Sequence, residues 1–188
     1  MDAFKFIRID SYSPDAFIDF EGHEVVVSDR FVMFWNTPSP FDQWTTARFL
    51  VDGIGYVCPE QYMMASKARL FGDTEIERQI LSTESPKEHK RLGRAVHGFD
   101  ESVWNESRCT IVRTANMAKF SQNLELKKLL LETGDRAFVE ASPFDKIWGI
   151  GLTANKPAAY DRATWKGLNL LGDILNDVRL ALKASDRH

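Results

Sequence analysis

An α+β fold, mostly helical, in a single domain with a few short strands, is what this 188-residue sequence predicts. Three observations carry that expectation. Near the end of the chain, Leu168, Leu171, Leu175, Val178 and Leu182 recur at intervals of three and four, the period of a helix with one buried stripe. By contrast, EVVVSDRFVMFW, from Glu24 to Trp35, is rich in the β-branched and aromatic residues that suit a pleated strand. Strand and helix patterns do not alternate regularly, so a doubly wound parallel sheet is not expected. GIG at 149–151 likewise lacks the glycine pattern of a dinucleotide-binding turn.

Taken in order, Ser28-Asp29 reads as the turn of a first hairpin within Glu24 to Trp35. NTPSPF, Asn36 to Phe41, holds two prolines and reads as a loop poor in backbone donors. TTARFLVDGIGYVC reads as a second hairpin, turned at Asp52-Gly53. PEQYMMASKARLFG then predicts a helix. Pro59 suits its first position, Glu60 favours the positive end of the dipole, and Gly72 suits the stop. TESPKEHKRLGRAVHGFDESVW reads as a polar connection whose charges face water. A second helix is predicted from Ala115 to about Glu132, with Phe120, Leu124, Leu130 and Leu131 on its apolar stripe and Gly134 near its end. RAFVEAS is a short strand leading into SPFDKIWGIG, and the last helix is predicted from near Thr164 to about Lys183.

Composition bounds the function classes. Hydrophobic content of 44% and charged content of 27% are ordinary for a soluble globular chain. A formal charge of −3 argues against a broadly basic surface, while a local basic cleft stays open. Cys58 and Cys109 lie far apart and outside any metal-ligand spacing. With no signal peptide in the N-terminal residues, they read as reduced thiols of a cytoplasmic protein, or a nuclear one if the source is eukaryotic. The four histidines, His23, His89, His97 and His188, form no ligand pair, so neither a metal nor a cofactor is expected. No apolar run approaches the ~20 residues needed to cross a bilayer, so no membrane role is expected.

Several residues stand out chemically. Glu60 and Lys67 are seven apart, which puts them on one helical face with a rise between them of roughly 10 Å. That spacing fits an acid and an amine at two ends of a small molecule. It equally fits an ordinary surface helix. Trp104, inside the polar run ESVWNESR, can stack on a flat ring or anchor a loop to the core. Asp145 lies at the C-terminal end of a strand, where ligands are commonly met, and can equally be a turn residue. Trp148 reads as core, and Gly149 and Gly151 as positions where the backbone comes near a bound substrate or packs closely on other backbone. Asn36, Asn116 and Asn169, each placed near an element boundary, can bind sugar hydroxyls or serve as caps.

FWNTPSPF, PEQYMMASKARLF, RLGR followed by Trp104, RTANMAKFSQN, LLLETGDRAFVEASPFDKIWGIG and WKGLNLLGDILNDVR occur in that order. Together they resemble the YbiA-like family, also called the NADAR (NAD and ADP-ribose) superfamily. The resemblance places a NADAR domain at 31–183 and leaves 1–30 as a further segment of the same domain without an assigned role. It implies a YbiA-like fold and cleavage of an N-glycosidic bond. Members of the family act on ribosylamino intermediates of riboflavin synthesis or remove ADP-ribose from guanine in nucleic acid. By the resemblance, Glu60, Asp145, Lys67 and Trp104 are the expected active-site positions. The substrate is then ADP-ribose or a ribosylated base, including one in ADP-ribosylated single-stranded DNA or RNA. The Thr-Pro-Ser-Pro loop and Asp42 replace a shorter turn of many members, a change that bears on the leaving group. The residue types suit the reaction: a carboxylate stabilises charge developing on ribose, an acid protonates the departing nitrogen, and a neutral lysine can attack C1 of an opened sugar. The alternative is a non-catalytic module that binds ADP-ribose or a nucleotide, which has little need of an acid and a lysine on one helix.

Overall fold

The computed structural model describes residues 7–8, 24–36 and 39–186. The strands among them are β1 (Ile7–Arg8), β2 (Glu24–Val27), β3 (Phe31–Trp35), β4 (Phe49–Val51), β5 (Ile54–Tyr56) and β6 (Ala137–Glu140). The helices are α1 (Pro59–Leu70), α2 (Thr74–Leu81), α3 (Pro86–Arg94), α4 (Glu101–Gln122), α5 (Leu124–Glu132) and α6 (Leu170–Ser185). The expected α+β class holds, with helix predominating. His23, His188 and the Thr37-Pro38 part of the proline loop lie outside the described residues. The chain forms two compact units. One is built from the described residues up to Thr45 and from Lys128 on, the other from Thr46–Lys127.

The first unit is a sheet covered by α6. Its strand order is β1-β2-β3-β6, with β2 and β3 antiparallel and β3 and β6 parallel. The predicted hairpin turn at Ser28 is present: its backbone N–H donates to the Phe31 carbonyl at 2.9 Å, and its hydroxyl accepts from Phe31 N at 3.0 Å. β3 lies between two strands, and Phe31, Val32, Met33 and Phe34 are all buried. That explains a continuous apolar run there instead of an alternating one. Met33, Val139, Ala141, Ile150 and Leu152 share one apolar cluster.

The last helix begins later than its periodicity predicts. Residues Arg162–Thr164 form a 3₁₀ turn, and α6 starts at Leu170. Between them the chain runs alongside the turn that follows β6. Lys166 N donates to Ile150 O, Leu168 N to Lys146 O and Asn169 N to Gly149 O. Leu168 therefore falls outside the helix and is exposed, while Leu171, Leu175, Val178 and Leu182 are buried as the stripe requires. α6 lies so close to β6 that a Cβ on Gly172 would come within 2.2 Å of the Phe138 carbonyl oxygen.

The second unit is helical, with a small hairpin at its start. Asp52 and Gly53 both have positive φ, 52° and 79°, as a two-residue hairpin turn demands. α1 is the hub of this unit, packed by α2, α3 and α4. Ala65 and Ala68 are fully buried, so its neighbours approach a surface of small side chains, and Tyr62, Ile76, Ile80, Leu92 and Ala115 complete the core. The predicted polar connection contains α3 and the first residues of α4, and α2 fills a stretch the sequence reading leaves unassigned. Each of α2 and α3 buries few residues, Ile76 and Ile80 in one and His89, Leu92 and Gly93 in the other. The helix predicted from Ala115 to Glu132 is in fact two. α4 begins at Glu101, where the Asp100 side chain accepts from Val103 N at 3.0 Å, and stops at Asn123 before α5. Leu124 accordingly leaves the expected stripe and is 74% exposed.

One buried amide ties the start of α1 to the end of α2. Gln61 accepts from Val57 N at 2.8 Å and donates to the carbonyls of Ile80 at 3.1 Å and Thr83 at 3.0 Å. Replacing it with leucine strands three backbone groups while keeping the volume. Gln61→Leu is expected to lower unfolding stability by about 2–4 kcal/mol, read from urea denaturation with an unchanged m-value. A loss below ~1 kcal/mol would show that these backbone groups find other partners.

Candidate active site

The burial of α1 decides which of its polar side chains are unusual. Pro59 through Met63 are buried, and Glu60 is only 4% exposed although it bears a carboxyl group and stands in the first helical turn. The surface-helix reading of Glu60 therefore fails. Beside it lies Cys58, whose thiol burial pushes up to about 11, with the Glu60 charge acting in the same sense and the Lys119 charge opposing it. A thiol held protonated is no nucleophile at neutral pH. Both a carboxylate and a second amine thus act on one buried point, and Lys119 on α4 is itself fully buried. Lys119 is a residue the sequence reading passes over, since in RTANMAKFSQN it looks like any helical lysine.

Lys67 stands two turns further along α1. Its Nζ donates to the Gly93 carbonyl at 2.8 Å, lies 4.2 Å from the centre of the Phe99 ring and 5.6 Å from that of Trp104. Phe71 meets Phe99 edge-on at 5.4 Å. Among the described residues no carboxylate forms an ion pair with Lys67. Burial pulls its ammonium below the ordinary lysine range. Trp104, the odd tryptophan of the polar run, is on α4 and half-buried, one face of its helix serving water and the other the amine.

Asn116 departs from expectation. It is not near an element boundary but mid-way along α4, fully buried, its side-chain amide donating to Val112 O at 2.9 Å. His89, expected on a solvated surface, is also fully buried. Its Nε2 lies 2.8 Å from the Thr83 carbonyl and so carries the proton, leaving Nδ1 toward Cys58 Sγ at 3.9 Å. Burial lowers its pKa, which keeps the ring neutral.

The remaining candidates belong to the sheet unit. Asp145 uses Oδ1 to accept from Ile147 N and Trp148 N, both at 2.8 Å, and its own N–H is held by Ser142 Oγ at 3.1 Å. It is a turn-forming residue whatever else it does. Trp148, expected in the core, is only half-buried. A Cβ on Gly149 would lie 2.7 Å from the Glu140 carbonyl oxygen, and Gly151 has φ +68°. Both glycines are accounted for by backbone packing. Asn169, left-handed at φ 59°, accepts from Glu140 N and donates to Phe138 O, each at 3.0 Å. Asn36, exposed just after β3, also has positive φ at 65°. Glu60, Lys67, Trp104 and Asn116 thus share the helical unit, and Asn36, Asp145, Gly149, Gly151 and Asn169 the sheet unit. Phe99 and Gly93, which touch the Lys67 amine, escape a sequence reading because their roles depend on helix placement.

Among the described residues no group of three His, Cys, Asp or Glu side chains is placed to hold a metal ion, and no helix is long and apolar enough to cross a membrane. The NADAR domain family matches residues 31–183. The chain is 45% identical over 144 residues to N-glycosidase R617 of Acanthamoeba polyphaga mimivirus, covering 74% of this chain and 85% of that one. It is 38% identical over 150 residues to Protein irg-1 of Caenorhabditis elegans, covering 76% and 71%. The solution structure of Escherichia coli YbiA superimposes with a TM-score of 0.71 at 28% identity, covering 87% of this chain and 91% of the other.

Two outcomes follow from this geometry. A half-buried amine with a lowered pKa has more neutral form at mildly alkaline pH than exposed lysines. Limited labelling with an amine-directed reagent at pH 8–9, read by peptide mass spectrometry, is expected to modify Lys67 ahead of the exposed lysines Lys87 and Lys90; labelling at their rate would refute the shift. In the sheet unit, Asn169→Ala removes two buried bonds and places alanine at positive φ, so stability is expected to fall by about 2–4 kcal/mol in denaturant unfolding. A stable N169A would show that Asn169 is not the bracket of β6.

Proposed function

This chain belongs to the NADAR domain family, and from that membership we propose that it is an N-glycosidase that hydrolyses the bond between ribose and a nitrogen. The substrate we assign is ADP-ribose on guanine in single-stranded or locally opened nucleic acid. A net charge of −3 suits an enzyme that reads one modified base with few phosphate contacts. The observation that carries the reading is the Lys67 amine, pulled below the ordinary lysine range by burial and set between two aromatic rings on the helix that carries the buried acid Glu60.

In this proposal Lys67 is the nucleophile. The ribose ring opens as C1 breaks from the ring oxygen, which takes a proton, and the base nitrogen stays attached to C1. The neutral Lys67 amine adds to C1 and gives up a proton. The base then leaves with a proton on its nitrogen, and Lys67 remains bound to C1 as an imine. Water adds to that imine, the C1–N bond to Lys67 breaks, and the sugar is released as its aldehyde, which recloses. Glu60 carries the proton transfers. Trp104 stacks on the base.

Lys67→Ala is expected to reduce release of ADP-ribose from an ADP-ribosylated guanine oligonucleotide by at least ~10³-fold, with an unchanged circular dichroism spectrum. Borohydride added during turnover of the wild type is expected to fix the sugar on Lys67. Near-normal release by K67A would overturn the lysine assignment, and tight binding without release by the wild type would make the protein a reader of ADP-ribose. Ribosylaminouracil phosphates in the same assay test the riboflavin-pathway substrates.

A further inference from the structure

We infer that Gly93 is a positioning residue for Lys67: the C-terminal end of α3 holds the amine through the Gly93 carbonyl, and the absent side chain at 93 is what lets that carbonyl reach it. The inference rests on reading Lys67 as the reacting amine. Gly93 lies in the last turn of α3, where carbonyls lack the usual partner four residues on. The partner here would be His97 N, which donates instead to Asp73 Oδ2 at 2.9 Å. The Gly93 oxygen therefore has no helical N–H and accepts from Lys67 Nζ at 2.8 Å.

The same residue governs how closely α3 approaches α1. A Cβ at 93 would lie 2.0 Å from Met64 Sδ, 2.9 Å from its Cγ and 3.2 Å from its Cβ. Met64 is three residues before Lys67, so the contact and the hydrogen bond sit at one helix crossing. Any side chain at 93 must push Met64 or α3 aside, and a shift of about 1 Å is enough to misplace a reacting group. Glycine costs helix stability in such a position, so its presence marks a packing demand.

An uncharged carbonyl also suits an amine that must lose its proton. A carboxylate at the same place would favour the ammonium form strongly, whereas a carbonyl orients one N–H and leaves burial as the main influence on ionisation. With one N–H held there and Phe99 at 4.2 Å, the direction of the nitrogen lone pair is restricted.

The test compares Gly93→Ala, Lys67→Ala and G93A combined with Met64→Ala. On the ADP-ribosylated oligonucleotide, kcat of G93A is expected to fall about ten- to a hundred-fold with KM within about two-fold, and removal of the Met64 side chain is expected to restore most of it. A ¹³C-lysine titration followed by NMR gives a readout independent of turnover: the Lys67 midpoint is expected to move toward the ordinary lysine value in G93A as water enters. Wild-type kcat in folded G93A while K67A is inactive overturns the inference, and so does an unmoved Lys67 midpoint. If K67A keeps its activity, the nucleophile assignment fails, and the titration alone then decides whether Gly93 holds the amine. If G93A does not fold, replacing the Gly93–Arg94 amide by an ester weakens the carbonyl acceptor and adds no atom near Met64. The same fall in kcat is expected, and a wild-type value again overturns the inference.

Discussion

The helical unit depends on the enclosure of α1 by three other helices. A helix of twelve residues carrying Glu60, Gln61, Ser66 and Lys67 has no clear apolar stripe, and left on a surface it would be unremarkable. Enclosed, Gln61 and Lys67 find partners in other segments, while the buried Ser66 hydroxyl has no hydrogen bond among the described residues. Gln61 is answered by three backbone groups and Lys67 by a helix-terminal carbonyl and two rings. Burial that would be a cost for an ordinary helix becomes the source of a shifted amine, because desolvation penalises its charged form.

Close backbone approach plays the corresponding part in the sheet unit. The segment from Lys146 to Gly151 is held between the end of β6 and the irregular run before α6, and side chains are excluded at the contact points. A Cβ on Gly167 would meet the Gly149 carbonyl oxygen at 2.3 Å, as one on Gly149 would meet that of Glu140. Asn169 then closes the arrangement with its side-chain amide, doing for β6 what a neighbouring strand would otherwise do. Asp145 holds the turn itself. Glycine, asparagine and aspartate here answer geometric demands before any chemical one.

Much of this is legible in the residues. Both hairpins, α1 with its proline start, β6 and the buried stripe of α6 follow from propensity and period. The departures share a cause. α2 and α3 bury only one or two large apolar side chains each, too few to impose a period on a charge-rich stretch. The break at Asn123 leaves no mark, because its side chain caps α4 by bonding Lys119 O at 2.8 Å and reaches the Arg48 carbonyl at 3.0 Å, far away in sequence. The start of α6 is displaced because Lys166, Leu168 and Asn169 donate to a distant turn in place of helical carbonyls.

The order of motifs determined the family, and the seven-residue interval determined that Glu60 and Lys67 share a helical face, since both are properties of the chain alone. Whether those residues are surface charges or buried groups was decided by tertiary packing. Desolvation, the uncommitted carbonyl at the end of α3 and the rings of Phe99 and Trp104 come from segments more than twenty-five residues away. A dielectric environment is made by what surrounds a side chain, and no local pattern records it.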